Sequence, residues 1–88
     1  MIHEIEWTKP ALRELRKLDQ QAVRRILVAV SGLAQQPRPT GTRQLAGQPA
    51  GIRRLRVGDY RVIYQVEDER VVVTVARVAH RREVYRDL

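Results

Sequence analysis

The segment Arg53–Arg61, RRLRVGDYR, limits the possible folds more than any other part of this chain. Gly58-Asp59 separates two runs in which apolar residues alternate with other types. A two-residue loop that opens with glycine reads as a tight hairpin turn of type II′. Such a turn sets the register. Val57 faces Tyr60, Arg56 faces Arg61, Leu55 faces Val62 and Arg54 faces Ile63. Side chains alternate across a strand. Leu55, Val57, Tyr60, Val62 and Tyr64 therefore share one face, and Arg54, Arg56 and Arg61 share the other. Like charges directly opposite one another destabilise a sheet. Two readings fit such a row. It is an anion site, because guanidinium forks match phosphate oxygens bidentately. Or it is a solvated polar face kept charged for solubility. Arg53 falls on the other face by alternation, with a stem long enough to snorkel, and is left out of the row.

The rest of the chain reads around that hairpin. Ile2–Trp7 alternates and predicts a first strand with Ile5 and Trp7 facing inward. Thr8 is a helix N-cap, with Pro10 in the first turn and Ala11, Leu12, Leu15 and Leu18 at helical spacing. Asp19 is a second N-cap after a tight break. It opens a longer helix striped by Val23, Ile26, Leu27, Val30, Leu33 and Ala34. Gly32 weakens that helix near its end. Gln35–Ala50, with three prolines and two glycines, reads as a loop that Leu45 tacks to the core. Strands follow at Ile52–Val57, Tyr60–Glu67 and Val71–Val78, with a turn at Glu67–Arg70. The last strand, VVVTVARV, is apolar on both faces and belongs inside the sheet. The first strand pairs with a later one at long sequence separation. The tail AHRREVYRDL, Ala79–Leu88, is read as one short helical turn. The order β-α-α-β-β-β makes an α+β fold, a two-helix hairpin on an antiparallel sheet, with residues 1–88 forming one domain.

Composition narrows the function. The net charge is +7, and all the basic residues except Lys9 and Lys17 are arginine. A small basic domain calls for a polyanion or an acidic protein partner. A GC-rich genome would produce the same arginine bias. There is no cysteine, so disulfides and thiolate metal sites are excluded. His3 and His80 are the two histidines and have no metal-ligand spacing, so no metal or other cofactor is expected. The start, MIHEIEWTKP, is unlike a signal peptide, and no apolar run spans a bilayer. A cytoplasmic protein without membrane contact is expected. Ser31, the only serine, lies in a helix, so a serine triad is implausible.

The tail HRREVYR carries the remaining chemistry. Arg81 and Tyr85 are four apart and share one side of a helical turn. Neighbouring arginines favour phenolate, which would make Tyr85 a general base. The plainer alternatives are a core plug for Tyr85 and a backbone cap for His80.

These segments together resemble the RelE-like branch of the RelE/ParE superfamily of bacterial toxins. The resemblance runs through AxxxLRKLD at Ala11–Asp19, PRPTG at Pro37–Gly41 and QLAG at Gln44–Gly47. It continues through RLRVGDYRVIYQV at Arg54–Val66 and HRREVY at His80–Tyr85, the two specific segments. It implies a RelE-like fold and a metal-independent endoribonuclease. Such toxins cut mRNA in the ribosomal A site by attack of a 2′-hydroxyl on the adjacent phosphate. It also implies an acidic, RelB-like antitoxin, with operator DNA bound through that antitoxin. By the same resemblance Arg61 stabilises the phosphorane-like transition state, Arg81 assists the leaving 5′-oxygen and Tyr85 is the base. Arg54, Arg56 and His80 bind RNA phosphate, the two arginines standing where relatives carry lysine. The hairpin is one residue shorter than in some members, and Ala79 stands where glycine is common. The alternative within the superfamily is a ParE-like toxin that poisons DNA gyrase without catalysis. A third is a binding module with neither activity.

Overall fold

The computed structural model describes residues 2–49 and 51–80. Its elements are β1 (Glu4–Trp7), α1 (Lys9–Arg16), α2 (Gln20–Gly32), β2 (Arg43–Gln44), β3 (Ile52–Val57), β4 (Tyr60–Glu67) and β5 (Val72–His80). They form an α+β architecture of two layers, with one five-stranded sheet in the order β1-β5-β4-β3-β2. β1 runs parallel to β5, and every other neighbouring pair is antiparallel. The apolar strand β5 sits inside the sheet, as its composition predicts.

Both helices begin at the expected caps. The Thr8 hydroxyl accepts from the Ala11 N–H at 3.2 Å, and Asp19 Oδ1 accepts from the Ala22 N–H at 2.8 Å. Each bond satisfies a donor that the first helical turn leaves without a partner. Thr8 also donates its hydroxyl to the Ala76 carbonyl at 2.9 Å, which ties the start of α1 to β5. That carbonyl belongs to a β-bulge. Ile63 pairs with Arg77 and Tyr64 with Val75, so Ala76 has no counterpart on β4. One extra residue exchanges the two faces for everything beyond it. Val75 and Val78 therefore both face the helices, although strict alternation would separate them.

The core lies between the helices and the sheet. Ala11 and Leu15 of α1, Ile26 and Val30 of α2, and Val62, Val75 and Val78 of the sheet pack together. Ile5, Trp7, Leu55, Val57 and Tyr60 close around them. A second group, Leu33, Tyr64, Val66 and Val73, extends the core, and the Tyr64 hydroxyl donates to the Pro37 carbonyl at 2.7 Å. The α2 stripe differs from expectation at two positions. Ala22 is buried, whereas Leu27 is 42% exposed. Ala22, Ile26, Val30 and Leu33 follow the helical repeat, and Leu27 lies about 100° round from Ile26.

The Gln35–Ala50 segment is not wholly loop. Arg43 and Gln44 pair with Arg54 and Arg53, and the Leu45 N–H donates to the Ile52 carbonyl at 3.0 Å. Leu45 and Ile52 pack with Ile63 and Ala79 on the sheet face away from the helices. Among the described residues, no helix is long and apolar enough to cross a membrane.

Candidate functional site

The β3–β4 hairpin adopts the register its turn requires. Val57 pairs with Tyr60, Arg56 with Arg61, Leu55 with Val62 and Arg54 with Ile63. Gly58 has φ +59° while Asp59 stays at negative φ, which is the type II′ pattern. Arg54, Arg56 and Arg61 therefore stand together on the face away from the helices.

Their environments differ. Arg56 is exposed, and its Nε makes one long bond of 3.4 Å to the Gly58 carbonyl. Arg54 is half-buried. Arg61 is only 8% exposed. One of its terminal nitrogens donates to the Tyr60 carbonyl at 3.3 Å, and its buried Nε has no acceptor among the described residues. A buried donor left unpaired costs about 1–3 kcal/mol, more when charged. Buried polar groups in native proteins are otherwise almost always satisfied. The row thus contains a desolvated cation with unused donor capacity, next to a second cation across the ladder. An anion supplies both what Arg61 lacks and what separates the two charges.

Arg53 has a different task. Its guanidinium makes three bonds to Thr42, the shortest 2.9 Å to Oγ1, and holds the segment leading into β2. That agrees with its exclusion from the row.

The structure does not bring His80 to the arginines. His80 pairs with Tyr60 and shares its helix-covered face, the rings meeting edge-on at 5.7 Å and 84°. The bulge at Ala76 is the cause, because it turns Val78 and His80 to the side opposite Arg61. Arg81 and Tyr85 lie outside the described residues.

Two further residues carry no plain signal in the sequence, one on the arginine face and one at the strand end that leads to the tail. Arg43 of β2 pairs with Arg54 and so joins the same face. Glu14 of α1 clamps the end of β5. It accepts from Arg77 Nε at 3.0 Å, from Arg77 Nη2 at 2.7 Å and from the Val78 N–H at 2.9 Å. That clamp fixes the strand end that leads to the tail. Glu14 has an unremarkable position in α1, and its partners are more than 60 residues away. Arg43 sits in a stretch whose prolines and glycines read as loop.

Comparison with known proteins agrees with this architecture. Residues 5–85 match the family described as the ParE toxin of the type II toxin-antitoxin system parDE. Toxin RelG of Mycobacterium tuberculosis (strain ATCC 25618 / H37Rv) is 32% identical over 87 residues, covering 98% of this chain and 99% of that protein. Among solved structures, a mutant of the E. coli toxin RelE in the free state superposes with a TM-score of 0.79 at 32% identity. That match covers 98% of this chain and 93% of the other. The archaeal RelE-RelB complex from Pyrococcus horikoshii OT3 has a TM-score of 0.81 at 28% identity, covering 92% and 97%. The strand order, the arginine row on its hairpin and these likenesses lead to one assignment: the chain belongs to the RelE/ParE family and is a toxin of a type II toxin-antitoxin system.

Proposed function

We propose that this toxin is an endoribonuclease that cleaves mRNA in the ribosomal A site and so stops translation. The observation that carries the reading is the buried Arg61 guanidinium, with its unpartnered Nε, facing Arg56 across the hairpin. In the proposed reaction the Tyr85 phenolate takes the proton of a ribose 2′-hydroxyl. The 2′-oxygen bonds to the adjacent phosphorus and the bond to the 5′-oxygen breaks. A 2′,3′-cyclic phosphate remains, and the leaving 5′-oxygen takes up a proton from solvent water. Arg61 stabilises the charge that builds on the phosphoryl oxygens, commonly the largest catalytic contribution. Arg81 acts by charge at the leaving oxygen, since a guanidinium rarely gives up a proton. Arg54 and Arg56 raise the local positive potential. His80, packed on Tyr60, is left out of the phosphate ligands.

The RelE of Pyrococcus horikoshii is solved in complex with RelB. We extend that partnership here to an acidic antitoxin that masks this chain's +7 charge and carries the operator-binding surface of the pair. The ribosome is then the target and the cytoplasm the site of action.

The test is cleavage of mRNA on purified translating ribosomes, with the new 5′ ends mapped by primer extension. Wild type cuts within translated codons. Arg61→Ala loses roughly 10²–10³-fold, and Tyr85→Phe roughly 10²–10⁴-fold. Full cleavage by Arg61→Ala removes the assignment. The ParE description of the matching family keeps a second reading in view. Stabilised gyrase–DNA cleavage complexes with uncut mRNA would establish it.

A further inference from the structure

We propose that Arg43 is an additional ligand for the RNA backbone, holding a phosphate that flanks the one at Arg61. The proposal rests on the endoribonuclease reading and extends its binding surface to β2. Arg43 stands directly opposite Arg54, as Arg56 stands opposite Arg61. Two cross-strand arginine pairs thus lie two residues apart along β3, on one face. Arg43 therefore extends the positively charged face of Arg56 and Arg61 by one more strand. Strands are spaced about 4.8 Å apart and rise about 3.3 Å per residue, which puts the Arg43 and Arg61 backbones roughly 12 Å apart. Long side chains from those points reach different phosphates of one strand.

The backbone on either side of Arg43 is anchored. Thr42 is buried, takes three bonds from Arg53, and donates its hydroxyl to the Pro39 carbonyl at 2.8 Å. Leu45 packs against the cluster of Ile63 and Ala79. Arg43 itself is exposed, and no bond among the described residues holds its guanidinium. An exposed cation on a pinned backbone is a preorganised contact, unlike a cation on a mobile loop. Arg24, exposed on α2 on the other side of the sheet, is the contrasting case of a solvated charge.

The experiment is the salt dependence of binding to a labelled single-stranded RNA whose 2′-hydroxyls are methylated, so that it binds without being cut. Each phosphate contact on a single strand contributes about −0.7 to the slope of log K against log salt. Arg43→Gln should reduce the slope by about 0.7, equally for different base sequences. It should weaken binding roughly five- to tenfold at low salt. Arg43→Lys should restore the slope. Arg24→Gln, which removes the same charge elsewhere, should leave it unchanged. Circular dichroism confirms that each variant is folded. A slope that falls for Arg56→Gln but not for Arg43→Gln overturns the role of Arg43 and leaves the nuclease reading standing. Equal losses in Arg43→Gln and Arg24→Gln also overturn it, since net charge alone would then be at work. A wild type without salt-dependent RNA binding overturns both.

Discussion

Replacing Arg61 by methionine should stabilise this protein while abolishing its activity. Methionine keeps the apolar stem that Arg61 buries and removes the charge. The substitution loses one bond, Nη1 to the Tyr60 carbonyl, which at 3.3 Å is long. A net loss of about 0.5–1 kcal/mol is reasonable for it. Against that stands the buried Nε without an acceptor, whose removal returns about 1–3 kcal/mol. The balance is about 1 kcal/mol in favour of Arg61→Met. For a domain of this size that raises Tm by roughly 4–8 °C. Removal of the Arg56–Arg61 repulsion acts in the same direction. Thermal unfolding followed by circular dichroism measures the shift, and the cleavage assay of the proposed nuclease measures the loss. Stability gained as activity is lost is the mark of a residue retained for function. If Arg61→Met unfolds several degrees below wild type, Arg61 is a structural residue and its place in the site must be reconsidered.

Two further outcomes follow from contacts elsewhere. Glu14→Ala should cost about 2–3 kcal/mol in urea unfolding, because it removes the acceptor of both Arg77 and the Val78 N–H. Glu14→Gln keeps an acceptor for the strand and should cost less than half as much; equal losses would show that the charge on Glu14 carries the clamp. Asp68 has its carboxyl held below the usual range by hydrogen bonds from Arg38, at 2.8 Å, and then from His3, at 3.3 Å. A carboxylate with a depressed folded pKa contributes stability above its unfolded value and loses it as pH falls through the folded one. Wild type should therefore lose Tm more steeply than Asp68→Asn as pH falls below the ordinary carboxylate range. Parallel curves would show that this exposed trio contributes nothing.

The hairpin was legible because one glycine at the first loop position selects both turn and register, and every pairing down to Arg54–Ile63 follows from it. Both helix caps were legible because Thr8 and Asp19 act through bonds three residues away. Long-range geometry was not. β2 is two residues long, so it has no pattern of its own and exists only as a complement to Arg53 and Arg54. Arg43 was lost with it. The face of His80 depends on a single unpaired residue, Ala76, whose type does not mark a bulge. Nor does alternation, which puts Arg61 in a row, report that Arg61 alone of the row is desolvated. The site's direction was therefore readable and its energetics were not.

The parallel pairing of β1 with β5 also governs when the molecule can exist. Among the described residues, β1 pairs only with β5, and the bond from Thr8 to Ala76 spans 68 residues. Contacts this distant in sequence make a fold slow to form. During synthesis the two helices emerge before the strands that give them a floor. At about 5–20 residues per second, that interval is on the order of seconds. Throughout it, the apolar stripe of α2 has no sheet to cover it. The arginine face gains its supporting strand β5 only when almost the whole described chain has been made. A ribosome translating this toxin thus carries an unassembled chain until β5 has been made, and whatever binds the nascent helices first competes with folding itself.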